Sequence, residues 1–257
     1  MKNSSKPVAV IAVRLGSSRL PGKAMLPVLG RPMIERMVER IARSKYVGNT
    51  IVLATTNDES DTPLEELARQ LGIHCFRGDE DNVLNRIFSA VSQFGGGPIV
   101  ELLGDNPLVH SDLIDETIEF FYSGGFAYTA TVTNEYPHAD PALKRFPVGI
   151  RVQVFSWETL SKTEKAVTQS KHKEHSTSYI YENPENFKLG YLECSGKWEE
   201  IGYPEFTFAV NYEQNFELIS VIFEELYPED PNFSLQKAVA IVKNKPDLLS
   251  LMGPPKG

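Results

Sequence analysis

Residues 8–23 read "VAVIAVRLGSSRLPGK". The first six are uncharged and mostly β-branched, which predicts a strand buried on both faces. The next ten change character, setting Arg14, Arg19 and Lys23 among Gly16, Ser17, Ser18 and the pair Pro21-Gly22. A loop leaving a parallel strand lies at the carboxyl edge of its sheet, where open α/β folds bind ligands. The amides of Gly16, Ser17 and Ser18 offer an anion-binding concavity. Arg14 and Arg19 bring forked guanidinium groups to phosphate oxygens, and Lys23 brings a point charge. A solvated surface loop is the ordinary alternative for a charge cluster, and the position directly after a buried strand favours phosphate. The stretch is not a P-loop: five residues separate Gly16 from Gly22, and Ala24 follows Lys23 where a metal-binding hydroxyl is required.

Outward from this stretch, strand-like and helical patterns alternate. "TIVLAT" (50–55), "IHCF" (73–76) and "PIVELL" (98–103) read as strands, with helices from Pro32 and over 61–72, 81–95 and 111–125. That order predicts a mostly parallel sheet covered on both faces, a three-layer α/β/α sandwich. Further strands are expected at 127–133, 150–155, 187–193 and 206–210, and helices near 156–167, 170–182, 212–225 and 234–244, before a loose tail "MGPPKG". No linker or repeat divides the chain, so 1–257 reads as one domain, with 127–205 as a sub-layer.

Composition narrows the classes. With 41% hydrophobic and 23% charged residues, a packed core is expected and wholesale disorder is not. A net charge of −8 argues against nucleic acid as a partner. No apolar run approaches the roughly 20 residues of a membrane span, and the run before Arg14 is too short for a signal-peptide core. Cys75 and Cys194 lack metal-ligand spacing. A cytoplasmic protein with reduced cysteines is the expectation.

A second constellation is "LLGDNPL" (102–108), in which Asp105 follows a strand end and Gly104. A lone carboxylate on the same sheet edge as the basic loop suits a Mg²⁺ that bridges phosphate oxygens. A turn aspartate capping its own backbone is the alternative.

The loop resembles the R-x-x-S-x-R-L-P-G-K signature of the cytidylyltransferases that make CMP-activated acidic sugars, in particular the SpsF-like spore-coat branch related to the CMP-KDO synthetases. The likeness continues in "FRGDEDNVLNRI" (76–87), "GDNPLVHSDLID" (104–115), "FPVGIRVQVFSWETL" (146–160), "KEHSTSYIYENPENFKL" (173–189) and "NYEQNFELI" (211–219). The resemblance implies a nucleotide-diphospho-sugar transferase (GT-A-like) fold and transfer of CMP from CTP to a sugar hydroxyl with loss of pyrophosphate, for surface-polysaccharide synthesis. It implies a nucleotide site of Arg14, Leu15, Gly16, Ser17, Arg19, Lys23, Arg77, Gly104 and Asp105, with Arg14, Lys23 and Asp105 catalytic. It implies an acceptor site drawing on Glu174, His175 and Thr177 with Arg151 and Gln153, and a homodimer to which 127–205 contributes.

The chain departs from that pattern at several acids. Asn211 stands where the family's second metal-binding aspartate is expected, leaving Asp105 and Asn211 as the Mg²⁺ ligands; Val148, Arg151, Gln153 and Asn85 replace other carboxylates. Three consequences stay open. The acceptor is a more anionic sugar, with Arg151 meeting its carboxylate; or it is a phosphorylated or non-sugar molecule; or the protein binds nucleotide without turnover, as a partner or regulator.

Overall fold

The structure is a computed structural model and describes residues 6–254. The opening apolar run forms β1 (Val8–Ala12). Val8 and Val10 enter one apolar cluster and Ala9 and Ile11 another, so both faces of the strand are covered and no polar alternation shows in its sequence.

A short hairpin, β2 (Pro27–Val28) and β3 (Arg31–Pro32), precedes α1 (Met33–Ile41). Then follow β4 (Ile51–Thr56), α2 (Thr62–Leu71), β5 (His74–Gly78), α3 (Val83–Phe94), β6 (Ile99–Leu103) and α4 (Ser111–Gly124). The second half supplies β7 (Tyr128–Thr131), β8 (Gln153–Phe155), α5 (Trp157–Ala166), α6 (Ser170–Glu174), α7 (Ser178–Tyr181) and β9 (Leu189–Leu192). It closes with α8 (Glu213–Leu226) and α9 (Leu235–Asn244).

Seven strands form one sheet in the order β5-β4-β1-β6-β8-β7-β9. Only β8 runs antiparallel to its neighbours; the other pairings are parallel. Residues 127–205 thus add β7, β8 and β9 to the same sheet. Helices α1, α2, α4, α8 and α9 bury their apolar faces in one cluster, and α3, α5 and α7 in the other, giving the three-layer α/β/α sandwich. From β1 the chain moves outward to β4 and β5 and then returns to the other side of β1 as β6. The strand order therefore reverses between β1 and β6, and the crevice beyond their carboxyl ends is where such sheets bind ligands.

Three local expectations are corrected. Residues 206–210 are extended but form no ladder, carrying only an isolated β-bridge between Val148 and Thr207. Gly149 next to it takes φ +87°, and a Cβ there would stand 2.3 Å from the Ala209 nitrogen, so the chains cross too closely to continue as a ladder. The helix expected over 170–182 splits into α6 and α7 at residues 175–177. The tail is docked at its start, with Met252 buried after a 3₁₀ turn over Pro246–Leu251. Its last residues, 255–257, and the N-terminal 1–5 on which the absence of a signal peptide was read, lie outside the described residues. Among the described residues no helix is long and apolar enough to cross a membrane.

Candidate functional site

The loop after β1 is folded around the carbonyl of Leu15, which accepts from the amides of Ser17 at 2.8 Å and Gly22 at 2.9 Å. The Leu15 amide donates in turn to Asp61 Oδ1 at 2.7 Å. Asp61 is 1% exposed, and its second oxygen accepts from the Thr55 hydroxyl at 2.8 Å and the Thr56 amide at 3.0 Å. A buried carboxylate between β4 and α2 thus sets the start of the basic loop. Among the described residues the amides of Gly16 and Ser18 have no hydrogen-bond acceptor, and they remain available to an anion. The Ser17 amide, expected with them, is turned inward onto Leu15. The Leu15 side chain packs against the core.

The three loop cations each meet an oxygen from a different segment. Arg14 Nη1 lies 2.6 Å from Glu80 Oε1. Arg19 Nη2 donates to Asn211 Oδ1 at 2.7 Å, with its guanidinium 5.5 Å from the Tyr212 ring centroid. Lys23 Nζ stands 3.0 Å from Asp105 Oδ2 and 2.6 Å from the Val210 carbonyl. The Val210 amide donates to the Asp105 carbonyl at 2.9 Å, which joins the 206–210 segment to the end of β6. Gly104 is required there because a Cβ would stand 2.7 Å from the Val13 side chain.

The crevice above β1 and β6 has two lobes that share Ala12, Val13, Arg14, Leu103 and Glu174. The smaller, about 310 Å³, is lined by Ser17, Ser18, Arg19, Lys23, Gly104 and Asp105. The larger, about 490 Å³, is bounded by Glu80, Asp81, Val83 and Arg86 on one side and Ser170 and His175 on the other. Arg14, Ser17, Arg19, Lys23, Gly104, Asp105, Glu174 and His175 therefore converge on one cleft, and Asn211 reaches it through Arg19.

Six other expected residues line neither lobe: Leu15 and Gly16 at the start of the loop, and Arg77, Arg151, Gln153 and Thr177. Arg77 is engaged at the end of β4 and the start of α2, donating to the Thr56 carbonyl at 2.9 Å, the Asp58 carbonyl at 2.6 Å and Glu65 Oε2 at 2.9 Å. Arg151 Nη1 lies 3.1 Å from Glu135 Oε1, so the cation expected to meet an anionic acceptor is already paired. Thr177 and Gln153 are buried beneath the cleft wall, where Gln153 Oε1 accepts from Thr177 at 2.7 Å, Tyr128 at 2.6 Å and Tyr136 at 3.1 Å. Burial forces these polar groups to satisfy one another. Sequence reading missed Asp61, Glu80 and Arg86. Arg86 stands in the quoted "VLNR" run, whereas nothing local distinguishes Asp61 from its acidic neighbours.

The carboxylates lining the smaller lobe are Asp105 and Glu174, and the Asn211 amide oxygen lies beside it on Arg19. No group of three or more His, Cys, Asp or Glu among the described residues could hold a metal by itself. Mg²⁺ is commonly held by one or two carboxylates with phosphate and water in its remaining positions. The donor set therefore fits a Mg²⁺ shared with a phosphorylated ligand.

Known proteins agree with this architecture. Residues 8–222 match the family model described as "Cytidylyltransferase". An uncharacterised protein from Methanocaldococcus jannaschii is 32% identical over 86% of this chain and 88% of its own length. The spore coat polysaccharide biosynthesis protein SpsF of Bacillus subtilis is 26% identical over 93% of this chain and 94% of its own. A solved cytidylyltransferase from Leptospira borgpetersenii superposes with a TM-score of 0.84 at 24% identity, covering 98% of this chain and 99% of that one. The match to the family model over nearly all of the sheet places the chain in the cytidylyltransferase family.

Proposed function

We propose that the protein transfers the CMP group of CTP to a hydroxyl of an acidic or modified sugar, releasing pyrophosphate, in surface-polysaccharide synthesis. The observation that carries this reading is the meeting of Arg14, Arg19, Lys23 and the free loop amides with Asp105 in one lobe at the strand-order reversal. The triphosphate lies along the loop, and the sugar oxygen attacks the α-phosphorus as the bond to the β-phosphate oxygen breaks. Negative charge grows on the departing pyrophosphate, and the three cations stabilise it from fixed positions. Asp105 and Asn211 would hold a Mg²⁺ that supplies further neutralisation at the α-phosphate. Glu174 and His175 face the acceptor. The chain acts as a single cytoplasmic domain and a homodimer, with 127–205 contributing to the acceptor side and the pairing surface.

Pyrophosphate release with CTP, Mg²⁺ and a panel of acidic sugars tests the reading, beside calorimetry of CTP binding. Release with any one acceptor supports it, and absence of nucleotide binding overturns it. One observation favours a second reading, binding without turnover: Asn211 is neutral and its amide oxygen is taken by Arg19. CTP binding without release, with release restored by Asn211→Asp, would support that alternative.

A further inference from the structure

His110 is buried and caps α4, its Nδ1 accepting from the Asp112 amide at 3.1 Å. That bond needs a lone pair on Nδ1, so the ring is neutral and carries its proton on Nε2, which faces the Asn232 carbonyl at 3.3 Å. One imidazole thus joins the start of α4 to the turn between α8 and α9. Arg40, in the last turn of α1 and 1% exposed, grips the same two segments. Its Nε donates to the Val109 carbonyl at 3.1 Å, and its Nη2 to the Leu108 and Phe233 carbonyls at 3.2 Å each. Arg40 Nη1 and Asn232 Oδ1 are buried there without a partner among the described residues. The corner is closed but not fully satisfied, and water would recover both atoms if it opened.

What the corner holds is the turn that leaves β6. Asp105 begins it, the Asn106 amide donates to the Leu103 carbonyl at 3.0 Å and the Val109 amide to the Asn106 carbonyl at 3.2 Å. Arg40 and His110 then fix residues 108–110 against the 232–233 backbone.

A second proton on the ring sets Nδ1–H against the Asp112 N–H and takes the cap from α4. The imidazolium then stands at the positive end of the α4 dipole and near the Arg40 cation. Asp112 on α4, with Oδ1 4.0 Å from Nδ1, and Asp230 in the α8–α9 turn favour that charge. Burial and Arg40 prevail, and the ring is held below its ordinary 6.5. A depressed histidine costs nothing above that value. It costs stability progressively as the pH falls from there to the folded value, because the unfolded chain takes a proton that the closed structure resists.

We propose that His110 is a proton-operated latch. Neutral, it pins the turn carrying Asp105 to the α8–α9 turn; protonated, it releases both. The consequence for nucleotide rests on the reading given under Proposed function, whereas the latch belongs to the fold.

Amide hydrogen exchange of the full chain at about pH 7.5 and about pH 5.5, corrected for the intrinsic pH dependence of exchange, reads the latch directly. Segments 105–114 and 230–235 of the wild type are expected to lose at least about threefold in protection at the lower pH. His110→Asn is expected to keep its protection, since asparagine caps a helix without titrating. Calorimetry of CTP with Mg²⁺ at the same two pH values reads the site. The fall in affinity on acidification is expected to be at least about threefold larger in the wild type than in His110→Asn. Titration of the nucleotide phosphate is common to both proteins and cancels. Equal protection of the wild type at the two pH values overturns the latch, and parallel falls in CTP affinity overturn its link to the site. Should His110→Asn fail to fold, exchange of the wild type decides, because the Asp112 amide loses its acceptor when Nδ1 is protonated. Absence of CTP binding at both pH values overturns the functional reading, and exchange still decides the latch.

Discussion

Asp61 shows how much of the basic loop depends on one residue outside it. Burial opposes its ionisation, but hydrogen bonds from the Thr56 hydroxyl, the Leu15 amide, the Thr55 hydroxyl and the Thr56 amide outweigh that, and its carboxyl is held below the ordinary value of 3.8. A depressed carboxyl contributes stability in full above its ordinary pKa and loses it as the pH falls through the folded value. Asp61→Asn puts a donor where an acceptor is needed and should cost about 1–3 kcal/mol at neutral pH, the usual consequence of a buried group left unsatisfied. Urea denaturation measures the loss, and the gap to wild type should close below about pH 4 as the native carboxyl protonates. A gap independent of pH would show that the charge of Asp61 is not what matters. Because Leu15 is tethered to Asp61, the same variant should also weaken CTP binding.

At the scale of elements, the break between α6 and α7 is what brings Glu174 and His175 to the cleft. Helical spacing alone suggests a continuous run over 170–182, but the hydroxyls of Ser176 and Thr177 take partners outside the helix. Ser176 donates to Glu101, Thr177 to Gln153, and Ser178 to the His175 carbonyl, with His172 against the Ser178 hydroxyl. Glu101 and Gln153 are register partners on β6 and β8, so two adjacent strands hold consecutive residues of the break. Burial lifts the Glu101 carboxyl above its ordinary 4.5, against the opposing hydrogen bond from Ser176 and the charge of Arg151. A raised carboxyl costs stability progressively as the pH rises from its ordinary value to the folded one. Glu101→Gln keeps an oxygen for Ser176 without the charge and should melt a few degrees above wild type at pH 7, with the gain disappearing toward pH 4. A gain that persists at pH 4 would point to packing instead. Gly104→Ala is the complementary element-scale test. It forces β6 away from Val13 and should lose about 1–3 kcal/mol as an overpacked contact, with a parallel fall in CTP affinity.

At the scale of the whole molecule, four remote segments meet around Lys23: its own loop, the end of β6, the 206–210 stretch and the start of α8. Asn215 on α8 accepts from the amides of Asn211 and Tyr212 and donates to the Leu251 carbonyl, so the docked C-terminal turn supports the same corner. The ammonium of Lys23 sits on the carboxylate that would receive a metal, so nucleotide and metal should bind together. Mn²⁺ titrated by electron paramagnetic resonance should bind weakly to the free protein and at least about tenfold more tightly with CTP, since each charge-assisted contact is worth about 1.5 kcal/mol or more. Lys23→Met should tighten Mn²⁺ binding without nucleotide while lowering pyrophosphate release by about 10²-fold or more. Unchanged Mn²⁺ affinity in that variant would separate Lys23 from the metal site.

The sequence by itself determined what rests on neighbours along the chain: the buried first strand, the alternation of strands and helices, and the cationic loop with its glycines and proline. These features depend on local periodicity and on residue chemistry, and both are legible over ten to twenty positions. Only the tertiary structure decided which groups those features face. Asp61 lies 46 residues from the amide it holds, and Asn211 lies 192 residues from Arg19. Arg77 and Arg86 belong to one quoted motif, yet the first is spent on carbonyls at the end of β4 and the second lines the cleft. Composition could not separate them, because the direction of a side chain follows from the face of the strand or helix that carries it. The hydroxyls at 176 and 177 likewise read as helix until the sheet supplies their partners. Pairing across such distances is set by how the sheet closes on itself, and no local pattern encodes it.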